Sequence, residues 1–283
     1  CMTITEERSK TVLFTDSYYQ GGMAAVIRDP AYNEAAVQRD GSDIETAAVG
    51  AMTGTTGEMF IREHYPKATV LCFDDIMDAI ASLQAGKLDY VITAYTTALK
   101  AANKNSNLLV LPREFTDEYA AIAFPKNNTK LLGEVNAVLR RFNETGKLDS
   151  IIKRWVRPDG SPYERTVIPK VTQGKPIQVA IAANREPMCF ISENQIVGLD
   201  CELIERIAFE LGRPVHYNDM KFSALIAALE AGKADLVISN MTATEERRKA
   251  VNFSDGYFVN PQVLLTLKVE TEAVEQKGFF QKI

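Results

Sequence analysis

The sequence predicts a two-lobed α/β protein with a largely parallel sheet in each lobe. Three observations predict it. First, apolar runs of strand length alternate with amphipathic helical runs on both sides of one Pro- and Gly-rich stretch, 157–176. Second, a unit made of a helix, a glycine stop, Lys, Asp and a buried strand occurs twice, as LQAGKLDYVI at 83–92 and LEAGKADLVI at 229–238. Third, MTITEERSKTVLFTDSYY at 2–19 returns as MTATEERRKAVNFSDGYF at 241–258. The offset is 239 without a gap, and eleven of eighteen positions are identical, where about one is expected from average composition. A chain that opens and nearly closes on the same point of a repeating unit is a slice of a tandem array or a circular permutation.

Taken in order, residues 11–28 read as two short strands around a Gly-Gly turn, and the polar stretch 29–46 breaks the pattern. AAVGAM (47–52) is a small-residue strand, followed at once by the turn Thr53-Gly54-Thr55-Thr56-Gly57 and an amphipathic helix. TVLCF is the next strand. DDIMDAIASLQAG is a helix with Asp74 as N-cap and Gly86 as stop. LDYVIT and NLLVLP are strands, and EYAAIAFP (118–125) is long enough to cross between lobes. TKLLGEVNAVLRRFNETG and LDSIIKRWV have helical spacing, the second anchored by Trp155. After the linker the pattern restarts. IQVAIA is a strand, a loop follows, 198–212 is a helix, VHYNDM a strand, SALIAALEAG a helix, and ADLVIS a strand that leads into the second MTATEER segment. VLLTLKVE is the last strand, and AVEQKGFFQKI is an amphipathic tail.

Composition narrows the function. A net charge of −5 argues against a nucleic-acid binder, because phosphate neutralisation needs a basic surface. No apolar run reaches the 18 or so residues of a membrane span, and the chain opens on Cys-Met-Thr without a basic and apolar leader. The four cysteines, Cys1, Cys72, Cys189 and Cys201, lack metal spacing. Cys189 and Cys201 are close enough in sequence to pair across a loop, the other reading being two free, partly buried thiols. With only His64 and His216, each read as solvated or packed, no metal centre or cofactor is expected. No Ser/His/Asp or Cys/His set is arranged for nucleophilic chemistry, and the acid pairs Asp74-Asp75 and Glu245-Glu246 sit in helix first turns, where the dipole explains them. The chain has parts for holding a small anionic group and none evident for transforming it, so an enzyme is not expected.

Two segments carry the binding chemistry. Thr242-Ala-Thr244-Glu245-Glu246-Arg247 begins where ADLVIS ends at Asn240, and ligands of open α/β sheets gather at such carboxyl ends. A hydroxyl and a guanidinium fork within one turn suit a carboxylate. The competing reading is a helix cap at Thr244 with Arg247 in solvent. The first copy offers the equivalents Thr3, Thr5 and Arg8. In the turn 53–57, hydroxyls and N–H groups at a helix start form an anion site, while the absence of Gly-Lys-Ser/Thr excludes a nucleoside triphosphate loop. A plain strand–helix turn is the alternative there. Among aromatic residues that could wall a pocket, Phe222 stands at a helix entrance. Tyr257, Phe258 and Tyr95 are the others, and core packing competes for each.

With these residues in hand, the chain resembles the type-2 periplasmic binding proteins, the polar amino-acid class of solute-binding proteins of ABC importers. MTATEERRKAVNFSDGYF, GKADLVIS and IQVAIA…GLDCELIERIAFELG look like that family's first lobe; GTTGE, the AGK–strand unit, EYAAIAFPKNN and LRRFNETGKLDSIIKRWV look like its second lobe and closing helices. The resemblance covers nearly the whole chain, in circularly permuted or tandem-fragment order. It implies an end of lobe 1 and hinge segment at 1–28, lobe 2 at 29–122, closing helices at 123–157, a linker at 158–174, lobe 1 of the second copy at 175–270 and a tail at 271–283. The late lobe 1 then closes on lobe 2 of the same chain, swaps with another chain, or is an orphan half. Intramolecular closure is favoured, because separated lobes leave large apolar faces exposed.

The resemblance further implies an extracytoplasmic module, held at the membrane by a lipid anchor or a fused permease, that closes two lobes around a polar amino acid or small carboxylate. The hinge lies near 118–125 and 257–268, and an ABC permease is the partner. A sensor ectodomain is the alternative. Thr242 and Arg247 would hold the α-carboxylate beside Asn240, helped by Thr55 and Thr56 from the other lobe, with Phe222 lining the side-chain pocket; if the first copy is used, Thr3 and Arg8 take that role. The chain departs from the family pattern where an acid usually meets the α-ammonium: Ala94-Tyr95 stand there, and Ala182 and Arg185 replace an acid and an aromatic residue in the loop after the first strand of lobe 1.

Overall fold

The computed structural model describes residues 39–116 and 119–268. The expected strands at 11–28, the first-copy residues Thr3 and Arg8, and the tail lie outside the described residues. Two sheets organise the rest. The first takes β1 (Ala48–Met52), β2 (Thr69–Phe73), β3 (Tyr90–Ala94) and β4 (Leu108–Glu114), with helices α1 (Thr56–His64), α2 (Ile76–Gln84) and α3 (Tyr95–Lys104) between them. The second takes β6 (Ile177–Ile181), β10 (Val215–Asp219), β11 (Leu236–Thr242) and β12 (Val251–Phe253). It carries α6 (Leu199–Glu210), α7 (Leu225–Glu230) and α8 (Glu245–Ala250).

Each sheet also takes one strand from the other half of the chain. β5 (Tyr119–Pro125) enters the second sheet between β11 and β12, and β14 (Gln262–Leu267) enters the first between β3 and β4. Both insertions are antiparallel, and short β13 (Phe258–Val259) adds to β5 in the same sense. This corrects the expectation of largely parallel sheets. The β1–β2, β1–β3, β6–β10 and β6–β11 pairs are parallel, but a strand that returns from the opposite lobe arrives running the other way. In this structure both sheets are completed by strands of the same chain.

The repeated AGK unit has a physical basis. Gly86 and Gly232 sit at φ 68° and 67°, each just past a helix end, where a left-handed residue closes the last turn. Gly86 N donates to Leu83 O at 2.9 Å and Gly232 N to Leu229 O at 3.0 Å. The following aspartate then clamps the start of the neighbouring strand. Asp89 Oδ2 accepts from Ala48 N at 2.8 Å, and Asp235 Oδ2 accepts from Gln178 N at 2.9 Å.

Three local expectations change. The α2 cap is Asp75, whose side chain accepts from Met77 N at 2.8 Å, and not Asp74. α3 starts directly after β3, at a place where the sequence shows no helix signal. The loop expected before α6 holds a small antiparallel sheet of β7 (Asn184–Arg185), β8 (Cys189–Ser192) and β9 (Gln195–Val197). Cys189 and Cys201 are free buried thiols with their sulfurs 3.7 Å apart, so they do not form the bridge entertained from their spacing.

The closing helices α4 (Thr129–Glu144) and α5 (Lys147–Trp155) pack on the second sheet through Leu131, Val135, Phe142, Ile151 and Trp155. Trp155 Nε1 donates to Glu202 Oε2 at 2.7 Å, and Arg154 and Arg206 bond the same carboxylate. Burial pushes Glu202 up, but these donors outweigh it and hold the group below the usual range. The Pro-rich segment after α5 is irregular yet docked: Tyr163 packs with Trp155 and Phe190 in a cluster of three rings, and Thr166 Oγ1 reaches Glu202. An apolar seam joins the lobes, with Met52 and Ile76 from one side and Phe222, Leu225 and Val237 from the other in one buried cluster.

Candidate functional site

The site grows from the carboxyl end of β11. Asn240 adopts φ +44°, a conformation that asparagine tolerates better than most residues, and β11 shifts register against β5 between Val237 and Met241. The irregularity turns the chain into α8. Thr244 caps that helix, its Oγ1 accepting from Arg247 N at 3.2 Å, so the capping reading of this segment holds. Its second half does not, because Arg247 is only 6% exposed. The Arg247 guanidinium donates through Nη1 to Thr242 O at 2.8 Å and through Nη2 to Gly54 O at 2.9 Å. Gly54 belongs to the turn after β1, so the fork bridges the two lobes.

That turn is built as a helix start. Thr55 caps α1: its Oγ1 donates to Met52 O at 2.7 Å and accepts from Glu58 N at 3.4 Å. Glu58 reaches back, accepting from Gly54 N at 2.8 Å, a reciprocal arrangement of the capping-box kind. Two backbone donors of the expected anion site are therefore already matched inside the chain. Gly54, at φ +78°, passes 3.4 Å from Ser223 Cα of the other lobe, measured from where a Cβ would stand. Thr56 opens α1.

Phe222 is buried, 5% exposed, and two guanidinium groups face its ring: Arg185 Cζ at 4.3 Å and Arg247 Cζ at 5.5 Å from the centroid. Arg185 is itself buried. Its Nη2 donates to the Ser239 carbonyl and, at 3.0 Å, to Ser239 Oγ, while its Nε has no partner. Burial lowers its affinity for the proton, which the nearby Asp200 charge opposes. The structure thus brings Arg185, Phe222, Arg247, Thr242 and Gly54–Thr55 into one neighbourhood. Tyr95 is 37% exposed at the head of α3, with its N–H on Pro261 O at 2.8 Å. A surface hollow of about 660 Å³ lined by Asn128, Asp235 and Ala250 contains none of these residues.

Sequence reasoning missed two residues that hold the site. Asp200, fully buried at the start of α6, accepts from Tyr257 OH and from Asn240 N, each at 2.7 Å. Burial pushes its carboxyl up to about 6 against these bonds and the Arg185 charge. Asn260, between β13 and β14, donates to Asn240 Oδ1 at 3.2 Å and to Thr96 Oγ1 at 3.0 Å, and accepts from Thr96 N at 3.2 Å. It ties both lobes and the strand end together at the crossing segment. In the sequence Asp200 is one acid at the start of the helix read at 198–212, and Asn260 carries no signal of its own. Outside the site, Lys221 and Asp74 form an ion pair at 2.5 Å, and Lys104 pairs with Glu186 at 2.5 Å, both across the lobes.

An arginine fork at a strand end, bridging two lobes, is a geometry suited to a small ligand. The chain belongs to the bacterial extracellular solute-binding proteins, family 3, whose model matches residues 1–158 and 177–278. It is 34% identical over 158 residues to the ABC transporter glutamine-binding protein GlnH of Bacillus subtilis, covering 56% of each chain. It is 36% identical over 94 residues to the arginine-binding extracellular protein ArtP of Bacillus subtilis, covering 33% of this chain and 37% of that one. Among solved structures it is similar to an ancestral arginine-binding protein bound to glutamine, with 43% identity, a TM-score of 0.29 and coverage of 31% of this chain and 39% of that one. The chain spans about half or less of the length of these curated relatives. No helix among the described residues is long and apolar enough to cross a membrane.

Proposed function

We propose that this chain captures a polar amino acid or related small carboxylate outside the cytoplasm and presents it to an ABC permease, by closure of the two lobes. The observation that carries the reading is Arg247. Its guanidinium is buried at the end of β11, steadied by Thr242 O, and directed at the α1 turn of the other lobe. A carboxylate that takes the place of the Gly54 carbonyl on Nη2 gains a charge-assisted bond there, and holding it from both lobes converts binding into closure. Thr242, Thr55, Thr56 and Asn240 are the polar neighbours of that position and Phe222 its apolar wall; Tyr95 belongs to the rim. The names of GlnH and ArtP support an amino acid as ligand and a binding protein over an enzyme, and they favour transport over a sensor ectodomain. Attachment by a lipid anchor or a fused permease belongs to this reading. So does the division into lobe 2 at 29–122 and a second-copy lobe 1 at 175–270, which the separate matches at 1–158 and 177–278 support.

The test is a thermal-melting screen of the chain and its R247A variant against amino acids and dicarboxylates. The parent is expected to gain several degrees at saturating ligand, as binding to the folded state alone requires. R247A should gain none. An equal gain in both proteins sinks the carboxylate assignment.

A further inference from the structure

We propose that Arg185 is a specificity-determining residue, a tethered cation that occupies the face of Phe222 and keeps cationic side chains out of the site. The inference rests on the reading of Phe222 as the pocket wall. The Arg185 guanidinium lies 4.3 Å from the ring centroid, inside the roughly 6 Å reach of a cation–π contact. It is pinned there by two bonds to Ser239, whose Oγ also accepts from Ala182 N at 3.1 Å. Its Nε is buried without a partner.

The same ring already faces Arg247 at 5.5 Å. A ligand bringing a guanidinium or ammonium to this wall would be a third cation around one ring. The nearby carboxylate of Asp200 already accepts from Tyr257 OH and Asn240 N, and its charge already acts on Arg185. Repulsion between like charges at such distances in a desolvated site is strong. A neutral amide or acidic side chain meets no such opposition. Arg185 therefore does, from within the protein, what a cationic ligand side chain would otherwise do.

The experiment compares the chain with R185A, and with R185Q, which keeps a donor for Ser239, should R185A fold poorly. Each is melted with methylguanidine, L-arginine and L-glutamine. Methylguanidine at about 10 mM should raise the melting temperature of the variant by about 2 °C or more and leave the parent unchanged. L-Arginine should stabilise the variant at concentrations about ten-fold or more below any that act on the parent, while L-glutamine stabilises both. If glutamine stabilises both proteins and the two cations treat them alike, the Arg185 inference falls and the carboxylate reading stands. If methylguanidine selects the variant but no amino acid stabilises either protein, the seat on Phe222 stands and the carboxylate reading falls. No response of any kind overturns both.

Discussion

Asp200 carries more of the site than its position at a helix start suggests. It is wholly buried, receives hydrogen bonds from Tyr257 and Asn240, and sits near Arg185. Burial raises its carboxyl from an ordinary 3.8 to about 6. The folded state therefore binds a proton more tightly than the unfolded chain. The stability this confers is full below about pH 4 and is lost as pH rises through about 6. Asparagine fits the same place, its carbonyl accepting from Asn240 N and its amide donating to the Tyr257 hydroxyl, and it does not titrate. The stability of the parent relative to D200N should thus decline between pH 4 and pH 6, by on the order of 1–3 kcal/mol, and stay level above. Paired urea titrations at pH 4, 5, 6 and 7 measure this, and a pH-independent difference contradicts it. None of this was legible in the sequence, where Asp200 is one acid in a helix first turn. Its role comes from Asn240 and Tyr257, 40 and 57 residues away.

At the scale of elements, what was legible is what carries its own punctuation. β1, β3, β6 and β11 are short apolar runs, and α2, α4, α6 and α7 end on glycine or carry a capping signal, so each declares itself locally. α3 does not, because it follows β3 with Ala94 in the cap position and no side-chain cap bond. The three-stranded sheet at 184–197 is made of pieces of two to four residues, too short for a period to show. Sheet sense was misread for a topological reason, since antiparallel β5 and β14 come from the far half of the chain. The repeated aspartate turns are the best case of a legible pattern with an illegible cause. Asp89 and Asp235 each accept from the first residues of a neighbouring parallel strand, Ala48 and Gln178, and so hold the register of β1 and β6. D89A and D235A should each cost about 1–2 kcal/mol, because each leaves a strand-end N–H without its acceptor. The double variant should lose the sum, since the two turns serve different sheets. Urea unfolding measures both points; a loss in the double variant well below the sum would show that the turns act as one unit.

For the whole molecule the question is why one chain suffices. β5 is paired on both sides by strands of the late half, and β14 is flanked by β3 and β4 of the early half. If either were withdrawn, a sheet would be left with an unpaired inner edge and exposed Val, Leu and Ile faces, which natural proteins avoid. Another chain could in principle supply the same strands. The route between the halves argues against it. After Trp155 the chain runs through Tyr163, packed against Trp155 and Phe190, and Glu164, whose N–H bonds Arg154 O at 3.3 Å. It reaches β6 without leaving the lobe it has just completed. Exchange between chains would have to undo those contacts, and it competes with an intramolecular encounter whose effective concentration is of millimolar order. Light scattering after gel filtration, across roughly 1–100 µM, should therefore find the mass of a single chain throughout. A dimer whose proportion does not change with dilution would show that the lobes are exchanged between chains. In that case the fork of Arg247 on Gly54 would be a contact between two molecules, and ligand capture would require both.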